Sequence, residues 1–323
     1  MPSISATSGR AALALAAAVA AWAPAARAQQ QAEGFAVERF YTAAPGGGWF
    51  VMDDLSLRGG LGGAVSLTFG YAHRPLRVES VDGRQRLSVV SDQAFAEVAL
   101  AVTYDRFRLY AILPGPLEVS GYSGEVAGYQ FTAPSANLGQ NPDAVADPRL
   151  GFDARILGGA TGPFRLGAGA QLIIPSGVRA DYLTDDTKRA MGRLLFAGEV
   201  GRFNYAGQLG VHIRPLDEAS VPGSPRGSEF LFGVAGGTRL PVGSSELVIG
   251  PEVYGETALR SFFGSQTTGL EALLGTRLEG TRSDGIGFRF KLGVGGGIVP
   301  HFGAPTWRAV MGFELFGRRK DTP

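Results

Sequence analysis

Between Leu61 and Phe316 the chain repeats one pattern: a run of about ten residues alternating apolar and polar, a break, and a return. A period of two places successive side chains on opposite faces of a strand, so each run has one apolar and one polar face. The breaks alternate short and long, which puts the two ends of the strands in different surroundings. Together these features predict an all-β fold, a transmembrane antiparallel up-and-down β-barrel of about twelve strands. Its tight turns would be periplasmic and its long loops extracellular.

The short links are Asp105-Arg106, 158–163, Arg202, 241–245 and 280–285; the long ones are 73–93, 114–148, 175–192, 215–228, 257–269 and 299–306. A soluble β-sandwich has no reason to keep that alternation, because both of its ends meet water. Within the runs the apolar face is almost free of charge. In Arg149–Leu157, for example, Leu150, Phe152, Ala154 and Ile156 oppose Arg149, Asp153 and Arg155. The barrel is expected over 61–316, with 317–323 as a polar tail after the terminal aromatic Phe316.

The start is ambiguous. Trp49–Leu57 also reads as a strand, which would make the count odd, or as the first arm of a bent strand Trp49–Tyr71 kinked at Gly59-Gly60. The preferred reading makes 29–60 a periplasmic or lumenal segment that feeds the first strand through Arg58-Gly59-Gly60. Both termini then fall on the periplasmic side of an outer membrane.

Residues 1–28 read as a secretory signal: Arg10, an Ala-rich stretch from Ala11 to Ala23, then the small-residue motif Ala26-Arg27-Ala28. The apolar stretch, about 13 residues, is short of the roughly 20 that a helix needs to span a bilayer. The chain has no Cys, so neither lipidation nor a disulfide is expected. Of 30 Lys and Arg, Arg10 and Arg27 lie in the signal, leaving 28 against 29 Asp and Glu. That balance gives no basic surface for nucleic acid. The 49 Gly suit tightly curved sheets and turns.

If the polar faces line the lumen, they place both charge signs there. The expected lumenal bases are Arg108, Arg149, Arg155, Arg165, Arg193, Arg214, Arg239, Arg277, Arg289, Lys291 and Arg308. The acids are Glu97, Asp153, Glu199, Glu229, Glu246, Glu252, Glu256, Glu271 and Glu314, and His212 shares their face. Small inward positions such as Gly167, Gly233 and Gly293 leave room. Two readings follow: a narrow polar pathway for small solutes, or a plugged lumen whose Arg–carboxylate pairs satisfy one another. No set of nucleophile, base and orienter is visible, so an enzyme is not expected; His212 beside Glu229 or Glu252 is the nearest approach to a base. Asp181, Asp185 and Asp186 in an outer loop read as solvated, with Ca²⁺ or a lipopolysaccharide bridge as the other option. No cofactor is expected. The partners expected are outer-membrane lipid and lipopolysaccharide, the barrel assembly machinery and a small solute.

The strand Asp147-Pro148-Arg149-Leu150-Gly151-Phe152 and the following Leu172-Ile173-Ile174-Pro175-Ser176-Gly177 resemble barrels of the "MetA-pathway of phenol degradation" transporter type. That type carries D-x-R-L-G and then L-P-x-G, and Ile174 stands here in place of Leu. Gly34–Phe40, Gly223–Glu229 and Leu270–Gly275 resemble the N-terminal barrels of certain OmpA-family proteins, without the peptidoglycan-binding domain that follows such barrels. The resemblance implies an outer-membrane, porin-like channel, with hydrophobic or aromatic compounds among its solutes, and no cell-wall tether.

Overall fold

The computed structural model describes residues 30–57, 59–216, 227–282, 285–299 and 303–318. The signal 1–28, part of the Gly223–Glu229 motif, His301 and most of the tail lie outside the described residues. Twelve antiparallel strands close into a barrel. They are β1 Leu61–Glu79, β2 Arg86–Tyr104, β3 Phe107–Ser120, β4 Arg149–Leu157, β5 Arg165–Ile173 and β6 Arg189–Val200, then β7 Phe203–Ile213, β8 Glu229–Val242, β9 Ser245–Ala258, β10 Thr268–Thr281, β11 Gly287–Val299 and β12 Trp307–Arg318. Strand β12 pairs back onto β1 from Trp307↔His73 to Arg318↔Gly62, so no edge is left open. No helix among the described residues is long and apolar enough to cross a membrane.

Closure puts each alternating run to use. Leu100, Leu109, Leu150, Leu194, Leu209, Leu274 and Leu292 point outward and are exposed, as a lipid-facing surface requires. Aromatic residues gather at both rims. Phe107 stacks on Phe152 at 5.9 Å and Phe203 on Tyr205 at 6.4 Å near the short turns. Tyr71 packs on Trp307 at 4.9 Å, and Phe230 on Phe262 at 5.5 Å, near the long loops. The two-residue turn Asp105-Arg106 needs a left-handed first residue (φ 54°), a conformation that Asp tolerates.

Two expected loops are partly strand. The 73–93 link continues the β1–β2 ladder as far as Glu79↔Arg86, after an irregularity between His73 and Leu76. Likewise β3 runs on to Ser120, and the remainder of the 114–148 link forms a small sheet from Gly124–Val126, Tyr129–Phe131 and Gln30–Gln31. The reason is burial. Leu76, Val89, Val90, Val119, Val126, Phe131, Tyr182 and Leu183 share an apolar core above the barrel, together with Phe35 and Val37. The long-loop end is thus a folded cap with its own interior.

The segment 29–60 is described from Gln30. It starts in the cap, where Gln30 pairs with Tyr129, and ends at Gly60, whose carbonyl accepts the Asp105 N–H at the short-turn end. Residues between them run through the barrel. Trp49–Leu57 is not a strand, and its neighbourhood holds a single isolated bridge, Gly48↔Asp53. The expectation of both termini at one end needs correcting for the described chain: Gln30 lies at the long-loop end and Arg318 at the short-turn end. The chain crosses the lumen once before the strands begin, and twelve strands then return it to the short-turn end.

The outward face makes a direct prediction. Leu209→Arg, in the middle of β7, should destabilise the barrel folded in bilayers by about 2–4 kcal/mol, measured by urea titration in lipid vesicles. An unchanged midpoint would mean that this face does not meet lipid.

Candidate functional site

The candidate site is the lumen, which the N-terminal segment fills. Phe40, Trp49, Phe50, Val51 and Met52 pack in one cluster with the inward-facing Phe95, Ala197, Ala206, Ala235, Val248, Tyr254, Leu273 and Val310. The small wall positions make room for these side chains. A Cβ added at Gly293 would sit 2.8 Å from the Phe50 ring, at Gly237 2.9 Å from the Trp49 ring, and at Gly167 2.9 Å from Leu55. At Gly233 it would collide with Met52. The room that glycine leaves in the wall is therefore occupied by the chain itself.

Polar contacts hold the segment along its length. Near the long loops, Arg308 bridges Glu38 (2.9 Å) and Glu271 (2.7 Å) and lies 4.8 Å over the Phe40 ring. Arg39 reaches Glu229 at 3.0 Å and Glu256 at 3.2 Å. Arg149 donates to Thr42 Oγ1 (2.7 Å) and Glu97 (2.6 Å), and Thr42 donates to the same carboxylate. Midway, both oxygens of Glu252 accept backbone N–H groups of the segment, from Phe50 (2.7 Å), Val51 (2.9 Å) and Met52 (3.2 Å). The Lys291 ammonium donates to the Trp49 carbonyl at 3.1 Å, and Arg277 lies 4.8 Å over the Trp49 ring. Arg108 is shared between Asp53 of the segment and Asp153 of the wall, and Asp153 also takes Arg193 at 3.1 Å. Lower still, Arg155 donates to the carbonyls of Leu55 (3.0 Å) and Leu57 (2.6 Å).

The other wall charges pair with one another because register aligns them. Glu279, Arg289 and Glu314 stand opposite each other across β10, β11 and β12 and bridge at 2.8 and 2.6 Å. Lys291 also reaches Glu314, at 2.6 Å. Glu199 joins Arg165 (3.0 Å) to Arg239 (2.8 Å). Arg214 pairs with Asp185 (2.7 Å) and Glu229 (3.0 Å).

Every expected lumenal residue in these networks is buried or half-buried. Glu246 differs: it is exposed at the short-turn end. His212 lies 3.6 Å from Glu229 and from Glu256, whereas Glu252 is spent on the segment. The loop aspartates do not form one cluster. Asp185 is fully buried against Arg214 and Arg189, while Asp181 accepts the Ser135 N–H. Sequence reasoning missed Glu38, Arg39, Thr42 and Asp53. The available signal was an apolar run, Trp49–Met52, followed directly by Asp53-Asp54, which suits a buried segment with its own counter-charges better than a periplasmic linker.

Open space beside the segment is small, with cavities of about 30 and 70 Å³ near the long-loop end. A larger vestibule of about 340 Å³ lies at the short-turn end, lined in part by Gly62, Ala64, Arg108, Arg289 and Phe316.

No family model matches the sequence, and no curated protein matches it. Solved structures do. An outer membrane channel from Pseudomonas putida F1 is similar with a TM-score of 0.50 at 14% identity, over 80% of this chain and 96% of that one. The NanC porin gives 0.47 at 6% identity, over 79% and 100% of the two chains. The CymD monoaromatic hydrocarbon channel gives 0.39 at 8% identity, over 82% and 90%. The likeness to the Pseudomonas channel is one of fold, and the fold is that of an outer-membrane β-barrel.

Two variants probe the packing of segment and cap. Glu252→Ala leaves three buried N–H groups without their acceptor, and should cost about 3 kcal/mol or more in urea unfolding and expose 38–57 to protease. Unchanged stability and protection would show that the segment is held by other means. Asp185, in the cap, is subject to two opposed effects: burial pushes its carboxyl up, and the Arg214, Arg189 and Arg39 guanidiniums outweigh burial and hold it well below the usual range. A carboxyl depressed on folding stabilises above its unfolded value and loses that effect as the pH falls through its folded value. The destabilisation by Asp185→Asn should thus be full at neutral pH and shrink in strong acid; a pH-independent difference would contradict the ion-pair account.

Proposed function

We propose that the protein is an outer-membrane channel for small solutes, held closed by its own N-terminal segment. The short turns face the periplasm and the capped end faces outward, following the usual asymmetry of such barrels. One observation supports the reading above others: the segment filling the lumen is not a member of the barrel sheet. Inside the barrel it is held by side-chain ion pairs, a carboxylate cradle and apolar contacts, so that part can leave without breaking a ladder of the barrel. A barrel of about twelve strands lies between filled eight-strand and open sixteen-strand ones, so its lumen is wide enough for a solute once emptied.

Charge indicates the preference. The residues expected to line the lumen, with Glu279 added and the exposed Glu246 left out, carry two more bases than acids. The part of the segment inside the barrel, 38–57, supplies Glu38, Asp53 and Asp54 against Arg39, an opposite excess of two. Withdrawing it leaves a net positive wall, which favours anions. The lumenal side chains therefore serve two purposes, pairing with the segment when the channel is closed and facing the solute when it is open. The reading is of transport without chemistry.

Planar-bilayer recording tests it. A barrel lacking 30–57 should give stepwise, anion-selective conductance well above that of the full chain. A cysteine pair at Gly46 and Ala64 would set its Cβ atoms 3.8 Å apart, a disulfide separation in a chain with no other Cys, with some backbone strain because Gly46 has φ 85°. Oxidation should silence the full-length channel and reduction restore it. A truncated barrel that folds, keeps heat-modifiable migration and stays silent would support instead a structural barrel with no transport role, which the packed lumen also suits.

A further inference from the structure

We propose that His212, Glu229 and Glu256 form a site for one divalent transition-metal ion of the Zn²⁺ class, built into the inner wall at the long-loop end. It does not depend on whether the lumen conducts. The three residues sit on adjacent strands: His212 of β7 faces Glu229 of β8 in register, and Glu256 of β9 stands opposite Leu231 of β8. Strand geometry therefore brings the three side chains together without any loop.

All three are buried, and their ligand atoms lie within 4.8 Å of one another. Neither ring nitrogen of His212 has a hydrogen-bond partner among the described residues, nor do Glu229 Oε2 and Glu256 Oε2. A fully buried imidazole without hydrogen bonds is costly, and an ion held at Nδ1 supplies a partner to the nitrogen that faces both carboxylates. The spacing indicates what kind. His212 Nδ1 is 3.6 Å from each of those two oxygens, too long for a hydrogen bond. Ligands about 2.0–2.2 Å from a tetrahedral Zn²⁺ stand roughly 3.4 Å apart. A small inward shift of each side chain closes the set.

The surroundings fit a cation. Arg39 and Arg214 both contact Glu229 Oε1, which orients the carboxylate and leaves Oε2 toward the ring. Arg39 Nε also lies 3.2 Å from Glu256 Oε2, so an ion there competes with that contact. Around the site the bases Arg39, Arg189 and Arg214 face the acids Glu229, Glu256, Asp185 and Asp147, an excess of one negative charge. Two side-by-side carboxylates repel when both are ionised, and a divalent ion removes that repulsion. The adjoining cavity of about 30 Å³, lined by Arg39, Tyr41, Glu229 and Glu256, has room for one water as the fourth ligand. Imidazole with two carboxylates suits Zn²⁺ and its neighbours, whereas Ca²⁺ needs six to eight oxygens that the site does not offer.

The test uses the full chain, folded in detergent and stripped with chelator. Titration with Zn²⁺ alone should show one equivalent bound, and Co²⁺ in its place should show the visible bands of a tetrahedral site. His212→Asn and Glu256→Gln should each weaken binding at least about tenfold. Heat-modifiable migration reports whether each variant is folded; if either is not, the Co²⁺ spectrum of the unaltered protein decides. Absence of stoichiometric binding, a six-coordinate Co²⁺ spectrum, or undiminished affinity in folded His212→Asn would overturn the proposal.

Discussion

Charge buried inside a closed wall must find a partner, and that requirement organises this molecule. A guanidinium or carboxylate withdrawn from water costs several kcal/mol unless it is paired and hydrogen-bonded. The barrel turns some twenty ionisable side chains inward, and pairing across neighbouring strands satisfies only part of them. Arg108, Arg149, Arg155 and Arg308 complete their contacts with atoms of the N-terminal segment, and Glu252 uses both oxygens on that segment's amides. The segment in turn can be buried only because the wall supplies those partners. Each half leaves buried polar groups unsatisfied without the other.

The same exchange links the middle of the barrel to its cap. Arg39 belongs to the segment yet binds Glu229 and Glu256 of the wall, and Arg214 ties Glu229 to Asp185 of the cap. The cap shares an apolar core with Phe35 and Val37, the residues from which the segment descends. Cap and segment are therefore joined by shared packing and shared ion pairs.

Much of the barrel was legible beforehand because a strand's two faces leave a period of two in the chain. Outward Leu194 and Leu209, inward Arg193 and Gln208, and the alternating turn lengths all follow from local pattern. The extensions of β1 and β2 past His73 were less legible, since Arg74-Pro75 interrupts the alternation where the ladder shifts register. The segment was the least legible. Residues 32–48 have no regular period, and the strand-like Trp49–Leu57 joins no sheet; neither stretch shows which wall residues it will pack against. Gly233 and Gly293 read correctly as space; that Met52 and Phe50 fill the space could not be read from either side alone.

Local pattern, then, was enough to specify a closed sheet with a lipid face, a charged interior and unequal ends, because each of those properties repeats along the chain at a fixed interval. Which charge meets which, whether the interior stands open, and where the chain begins relative to the barrel depend on contacts between residues separated by up to 270 positions, as between Glu38 and Arg308. Such contacts are selected by barrel closure, strand register and the need to satisfy buried charge, and none of these leaves a trace in the neighbours of either residue.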